Sequence, residues 1–244
     1  MTGQKFLFAF FTILILSNTI FSQIKLSTIS FYTDYSYPLS KRLMVTKIDA
    51  VGGGAEVSFS ISKNLELSLS TGYSLFSLQQ DSAIQQWNWR FYTERYAGII
   101  RDNLRADSTL AAYLNPIQKM DLVPVQISLK GNFNPIKNFY VKPHLGAGIY
   151  FYTRRLYLEE RWRKIFYEAN YTFEYSYRNF ATNKYGNPAG VFGLIEFDYQ
   201  PSEIFTIGTA FGYTYFLKTK GKMGFDQFPI RDYLNFKIFL TFLY

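Results

Sequence analysis

Residues 123–151 read VPVQISLKGNFNPIKNFYVKPHLGAGIYF. Two alternating runs flank a short polar break. In the first, Val123, Val125, Ile127 and Leu129 oppose Pro124, Gln126, Ser128 and Lys130. In the second, Val141, Leu145, Ala147 and Ile149 oppose Lys142, His144, Gly146 and Gly148. A period of two places successive side chains on opposite faces, which is the pattern of a strand with one greasy side. The break NPIKN is short enough for a hairpin turn.

The same alternation recurs along the chain. EVSFSI (56–61) and LELSLSTGYSL (65–75) meet across SKN, and VFGLIEFDY (191–199) and FTIGTAFGYTY (205–215) meet across QPSEI. LNFKIFLTFLY (234–244) sets Leu234, Phe236, Ile238, Leu240, Phe242 and Tyr244 against Asn235, Lys237, Phe239, Thr241 and Leu243. Long polar, aromatic segments separate the hairpins, at roughly 80–119, 153–187 and 218–231. A sandwich also alternates, but it rarely sorts its connections so that short turns and long loops alternate. That sorting predicts a transmembrane antiparallel up-and-down β-barrel with short periplasmic turns and long extracellular loops. About eight strands are expected. A first strand near 24–35 alternates poorly and precedes a turn at Pro38, and the glycines at 52–54 suggest a bulge or sharp bend. Residues 162–180 also alternate, so ten strands remain an alternative; the preferred reading makes them a hairpin extending beyond the membrane.

Composition agrees. The 244 residues include 21 Tyr and 25 Phe, and aromatics suit both strands and membrane interfaces. Outward aromatics gather near the short turns (Phe59, Phe133, Phe139, Tyr199, Phe205, Tyr244) and near the long loops (Tyr73, Phe151, Tyr213, Tyr215). There is no Cys and a single His, which excludes disulfides, Cys nucleophiles, a lipid-modified Cys and multi-histidine metal sites. Lys5 precedes FLFAFFTILIL (6–16), an apolar run of signal-peptide length and too short to span a bilayer. Residues 1–23 are therefore expected to be a signal peptide cleaved near Ser22 or Gln23, and 24–244 the barrel domain. The net charge of +8 then points away from nucleic acid and towards anionic surface groups.

The inward faces carry Glu56, Glu66, Glu196 and Asp198 against Lys130, Lys142 and Lys237, with His144 nearby. An eight-stranded lumen is filled by side chains, and charges there must pair or suffer desolvation. A salt-bridged plug is the expectation, with Gly and Ala leaving room for long chains; a conduction path is the alternative. No cofactor is expected. A Ser-dependent lipid-modifying enzyme would need His144 beside an activated Ser, and no such pair stands on that strand, so no catalytic residue is assigned. The loops RDNLR, TRRLYLEERWRK and KTKGK hold much of the positive charge, and Trp87, Trp89 and Trp162 lie among them. With Arg154 and Arg155 these form a candidate patch for a surface protein or glycan, or for lipopolysaccharide phosphates. A helix over DNLRADSTLAAYL with Asp102 as N-cap is also expected.

Residues 121–152 resemble the central hairpin of the porin-like outer-membrane β-barrel family that includes PorT-like proteins. Pro124, Leu129, Lys130, Lys142, Pro143, Gly146, Gly148 and Tyr150 hold the places of its PxxxxLK and KPhLGAGhY strands. The resemblance implies a barrel in the outer membrane and no particular activity; the barrel is expected to be a monomer. Leu240, Phe242 and Tyr244 likewise resemble the terminal signal of outer-membrane proteins, which implies reading by the barrel-assembly machinery. The function expected is non-enzymatic binding or scaffolding of surface partners, with a narrow diffusion channel as the alternative.

Overall fold

The computed structural model describes residues 25–80, 83–219 and 223–244. The signal peptide expected at 1–23 lies outside the described residues. So does most of KTKGK.

Eleven strands form one antiparallel sheet. They are β1 (Lys25–Lys41), β2 (Lys47–Ser62), β3 (Leu65–Gln79), β4 (Leu110–Gly131), β5 (Phe133–Ile136), β6 (Phe139–Phe166), β7 (Tyr171–Phe180), β8 (Lys184–Gly186), β9 (Ala189–Ser202), β10 (Phe205–Phe216) and β11 (Ile230–Leu243). Eight of them close a ring in the order β1, β2, β3, β4, β6, β9, β10, β11 and back to β1. Closure leaves no unpaired edge within the ring, the condition a sheet must meet in lipid. A register path from Ile29 runs through Val57, Leu69, Ile127, Ala147, Val191, Tyr215 and Asp232 and re-enters β1 at Ser40. The strands are therefore steeply tilted, as a small barrel requires.

The alternation of the sequence has become inside and outside. Val125, Ile127, Leu145, Ile149, Val191, Ile195, Ile207, Phe211, Ile238 and Leu240 face outward and exposed. Their neighbours Ser128, Lys130, Lys142, His144, Glu196, Thr206 and Lys237 are buried inside. An apolar exterior around a polar interior is the inverse of a soluble barrel. It is stable only when the exterior meets lipid. Aromatics lie at both rims of this belt: Phe133, Tyr199 and Tyr244 at the turn end, Tyr73, Phe151 and Tyr213 at the loop end, all exposed.

Four expectations need correction. β1 does not end before Pro38. It continues to Lys41, Pro38 pairs with Tyr233, and a register shift follows. Its Tyr35 and Tyr37 join the exposed belt. Gly52, Gly53 and Gly54 form no bulge, since they pair in unbroken register with both β1 and β3. Gly52 and Gly54 instead clear space in the lumen: a Cβ on Gly54 would press on the Tyr32 ring and on the Thr71 carbonyl oxygen. The helix expected over 102–114 stops at Ala106, and Leu110 already belongs to β4. Asp102 sits in its first turn, and Ile100 is the N-cap. The segment 110–119 is strand, paired with β6 up to Leu110↔Lys164.

β4 and β6 thus rise well past the ring. Beyond the loop-end rim β6 also pairs with β7, through Phe166↔Tyr171 to Tyr157↔Phe180. The result is a three-stranded extension, with 162–180 as its hairpin tip. Short helical turns precede β4: α1 (Ala83–Trp87), α2 (Arg90–Arg95), a π-helical turn (Tyr96–Ile100) and α3 (Arg101–Ala106).

Candidate functional site

At the turn-end half of the lumen, β2, β4, β6 and β9 bring six titratable groups together. Lys130 Nζ lies 2.6 Å from Glu56 Oε1 and 3.4 Å from Glu196 Oε2. Lys142 Nζ lies 2.5 Å from Asp198 Oδ2 and 3.7 Å from Glu196 Oε1. His144 Nε2 is 2.9 Å from Glu196 Oε2. All six side chains are buried. The strand period explains the cluster: Lys142 and His144 share the inner face of β6, Glu196 and Asp198 that of β9. Lys142↔Glu196 are direct cross-strand partners, and Glu66↔Lys130 are partners on β3 and β4. Gly208 provides the room for Asp198, because a Cβ there would fall on its Oδ1.

Two residues of the expected network stand apart. Glu66 is buried nearer the turn end, where Ser27 Oγ donates to it at 3.0 Å. Lys237 forms no ion pair among the described residues. Its Nζ sits 4.1 Å from the centre of the Tyr32 ring, an attraction of ammonium to a π face. Glu56, His144 and Glu196 also offer ligand atoms within 4.8 Å of one another. A metal ion there would have to displace Lys130, whose ammonium already lies between the two carboxylates.

Above this layer the lumen turns apolar. Tyr32, Phe192, Leu194, Ala210 and Phe239 form one cluster. Nearer the loop end, Ile48, Phe76, Met120, Leu122, Tyr150, Phe216, Phe228 and Tyr233 form a larger one. The β10–β11 loop folds inward to complete it, with Phe225 and Phe228 buried. Arg42 holds that loop by donating to the carbonyl oxygens of Phe225 (2.6 Å) and Phe228 (3.0 Å), and Arg154 donates to that of Gln227 (2.6 Å). Burial lowers the pKa of Arg42, and lowers that of Arg154 to about 10. Between the two apolar clusters, a cavity lined by Tyr32, Asp34, Gln126 and Lys237 measures only about 20 Å³.

The expected loop patch is not a surface. Trp87, Trp162 and Arg154 are buried and Trp89 is half-buried, while Arg155 alone is exposed. Arg154 lies over the Trp87 ring at 5.0 Å and donates to Gln118 Oε1 at 2.6 Å. Trp87 donates to the Thr182 carbonyl oxygen at 2.8 Å. Glu160, fully buried, holds the helical cap to the extension: Arg95 grips both its oxygens at 2.9 and 3.0 Å, and Tyr177, Asn179 and Trp162 also donate to it. Glu160 and Arg95 escaped the sequence reading. The signal was available, because the inward parity of Lys142 and His144 continues along β6 through Arg154, Leu156, Leu158, Glu160 and Trp162. At the foot of the cap, the Asp107 carboxyl accepts from Thr109 Oγ1 and N at 2.6 and 2.9 Å, with Lys164 3.1 Å away. These contacts lower its pKa to about 2.

No family model matches the chain, and no curated protein matches it. The resemblance of residues 121–152 to the porin-like family therefore rests on those residues alone. Solved outer-membrane barrels are similar in outline. The surface protein NspA of Neisseria has a TM-score of 0.44 at 8% identity, covering 91% of this chain and 99% of that one. A major outer membrane protein of Thermus thermophilus has a TM-score of 0.46 at 9% identity, covering 88% and 99%. The attachment invasion locus protein Ail of Yersinia pestis, solved with a heparin analogue, has a TM-score of 0.38 at 8% identity, covering 90% and 97%.

Proposed function

We propose that this chain is an outer-membrane barrel closed to solutes, which anchors a rigid platform above the membrane for a protein or glycan partner. The observation that carries the reading is the filled lumen: a buried ion-pair layer at one end, an aromatic plug at the other and a cavity of about 20 Å³ between them. A barrel built to pass solutes would spend these positions on a wetted path. The filling counts equally against a lipid-modifying enzyme, because His144 and its neighbour Glu196 are enclosed where no acyl chain can reach.

The extension supports the platform reading. Among the described residues β7 pairs along one edge only, with β6. Tyr167, Tyr171, Phe173 and Tyr175 stand exposed at its tip. A free edge with a row of aromatics suits an extended chain adding as a further strand, or a sugar stacking on the rings. Well-ordered roots favour such a surface: Trp162 stacks on Tyr175 at 6.3 Å, and Glu160 ties β6, β7 and α2 together. Burial of the tryptophans moves the proposed contact surface from the loops to this edge.

The test places a photo-reactive residue at Phe173 in intact cells, with Phe211 in the lipid belt as control. A discrete protein or glycan adduct at β7, lost with Tyr171→Ser plus Tyr175→Ser, is the expected result. An assembled barrel that gives only lipid adducts at both places would refute the platform.

A further inference from the structure

One cationic feature lies outside the lumen and away from the aromatic tip of β7. Lys119 on β4 and Arg155 on β6 are direct cross-strand partners. Like charges in that position repel, so the pair needs an anion. Asp121 answers for one of them only: Arg155 Nη2 lies 2.5 Å from its Oδ1, and Tyr73 donates to the same oxygen at 2.5 Å. No hydrogen bond or ion pair reaches Lys119 among the described residues. A third cation, Arg178 on β7, lies over the Tyr157 ring and is 3.8 Å from Glu159, a carboxylate that it shares with Arg161 at 3.1 Å. Between Lys119, Arg155 and Arg178 opens a groove of about 270 Å³, floored by Tyr73 and walled by Tyr157 and Phe180.

Its position selects the anion. Tyr73 and Phe151 mark the loop-end rim of the lipid-facing belt, and Phe180 is exposed beside it. The groove therefore opens at headgroup depth, on the outside of the barrel, with acyl-chain surface below it. We propose that this groove binds a phosphate group of a glycolipid headgroup in the surrounding leaflet, Lys119 and Arg178 donating to its oxygens while the acyl chains descend past Tyr73 and Phe151. The proposal rests on the membrane placement argued above. Arg is suited to the task because its planar fork matches a phosphate, and desolvation beside the three aromatic rings strengthens the pairing.

The experiment reconstitutes the full barrel into phosphatidylcholine nanodiscs. They carry either bisphosphorylated lipid A or the same glycolipid stripped of phosphate, and retained lipid is read by native mass spectrometry. The wild-type chain is expected to keep the phosphorylated form selectively. Each cation near a headgroup is worth about fivefold, so Lys119→Gln with Arg178→Gln should weaken retention roughly 20- to 30-fold, and Lys119→Arg, with Arg178 intact, should leave it unchanged. Arg155 is left intact because it steadies Asp121. Barrel folding in each variant is checked by band shift of unheated protein. Equal retention of both glycolipids, no loss in the double variant, or displacement by an equal concentration of inorganic phosphate would overturn the proposal. Failure to insert into the discs at all would sink the membrane reading, and this inference with it.

Discussion

Replacing Lys130 by Met tests the lumen most sharply. The ammonium is fully buried, 2.6 Å from Glu56 and 3.4 Å from Glu196. Methionine keeps the length and removes the charge. Glu196 retains Lys142 at 3.7 Å and His144 at 2.9 Å. Glu56 retains only the Ser58 hydroxyl at 3.5 Å, so it becomes a buried carboxylate without a cation. Breaking a buried pair from one side costs about 3–5 kcal/mol, which raises the unfolded fraction by roughly two to four orders of magnitude. Urea titration of the barrel in vesicles, followed by tryptophan fluorescence and by band shift, would read this as a large drop in midpoint. Adding Glu56→Gln should recover part of the loss, because the stranded charge is then gone. An unchanged midpoint for Lys130→Met, or strict additivity with Glu56→Gln, would mean that Lys130 is solvated, and the plug would be wrong.

Further outcomes follow from other contacts. Gly208→Ala should cost about 1–3 kcal/mol by overpacking, since its Cβ would push Asp198 off Lys142; in an Asp198→Ala background the same change should cost much less by the same titration. Glu160→Gln removes the charge on which Arg95 closes, so hydrogen exchange should rise in residues 90–106 while the ring strands stay protected; uniform exchange would contradict a local cap. The Asp107 carboxyl is held to about 2 against its ordinary 3.8. A depressed carboxylate stabilises the folded turn above its unfolded pKa and loses that contribution as pH falls towards 2. Exchange at residues 107–110 should therefore accelerate between about pH 4 and 2, and Asp107→Asn should abolish that dependence.

Much of the barrel was legible because one physical rule governs it. A strand between lipid and a polar lumen must alternate, and β2, β3, β4, β6, β9, β10 and β11 do so. β1 hid itself because a register shift between Leu26 and Thr28 breaks its parity, and because its inner face mixes Tyr32 and Pro38 with Ser30, Asp34 and Ser36. The lumen charges were found by parity, but which of them meet depends on register across four strands; Lys237 lies inside and yet faces an aromatic ring. The helix read into 102–114 had the right composition, and pairing with β6 overrode it from Leu110 onward. The tryptophans misled for a related reason. Loop residues are taken as exposed unless tertiary contacts are known, and here the loops fold back over the barrel mouth. No local pattern announces that Arg42 and Arg154 will draw Phe225 and Phe228 inward through backbone carbonyl oxygens.

The account stands on a lumen blocked by the ion-pair layer and by the aromatic plug, and single-channel recording tests that directly. The purified, folded chain is inserted into a planar bilayer, with insertion shown independently by protease protection. The closed barrel predicts no unitary steps at any holding voltage within the range the bilayer tolerates. A steady, reproducible conductance step would show an open path past Lys130 and Phe228, and it would replace the platform with a diffusion channel.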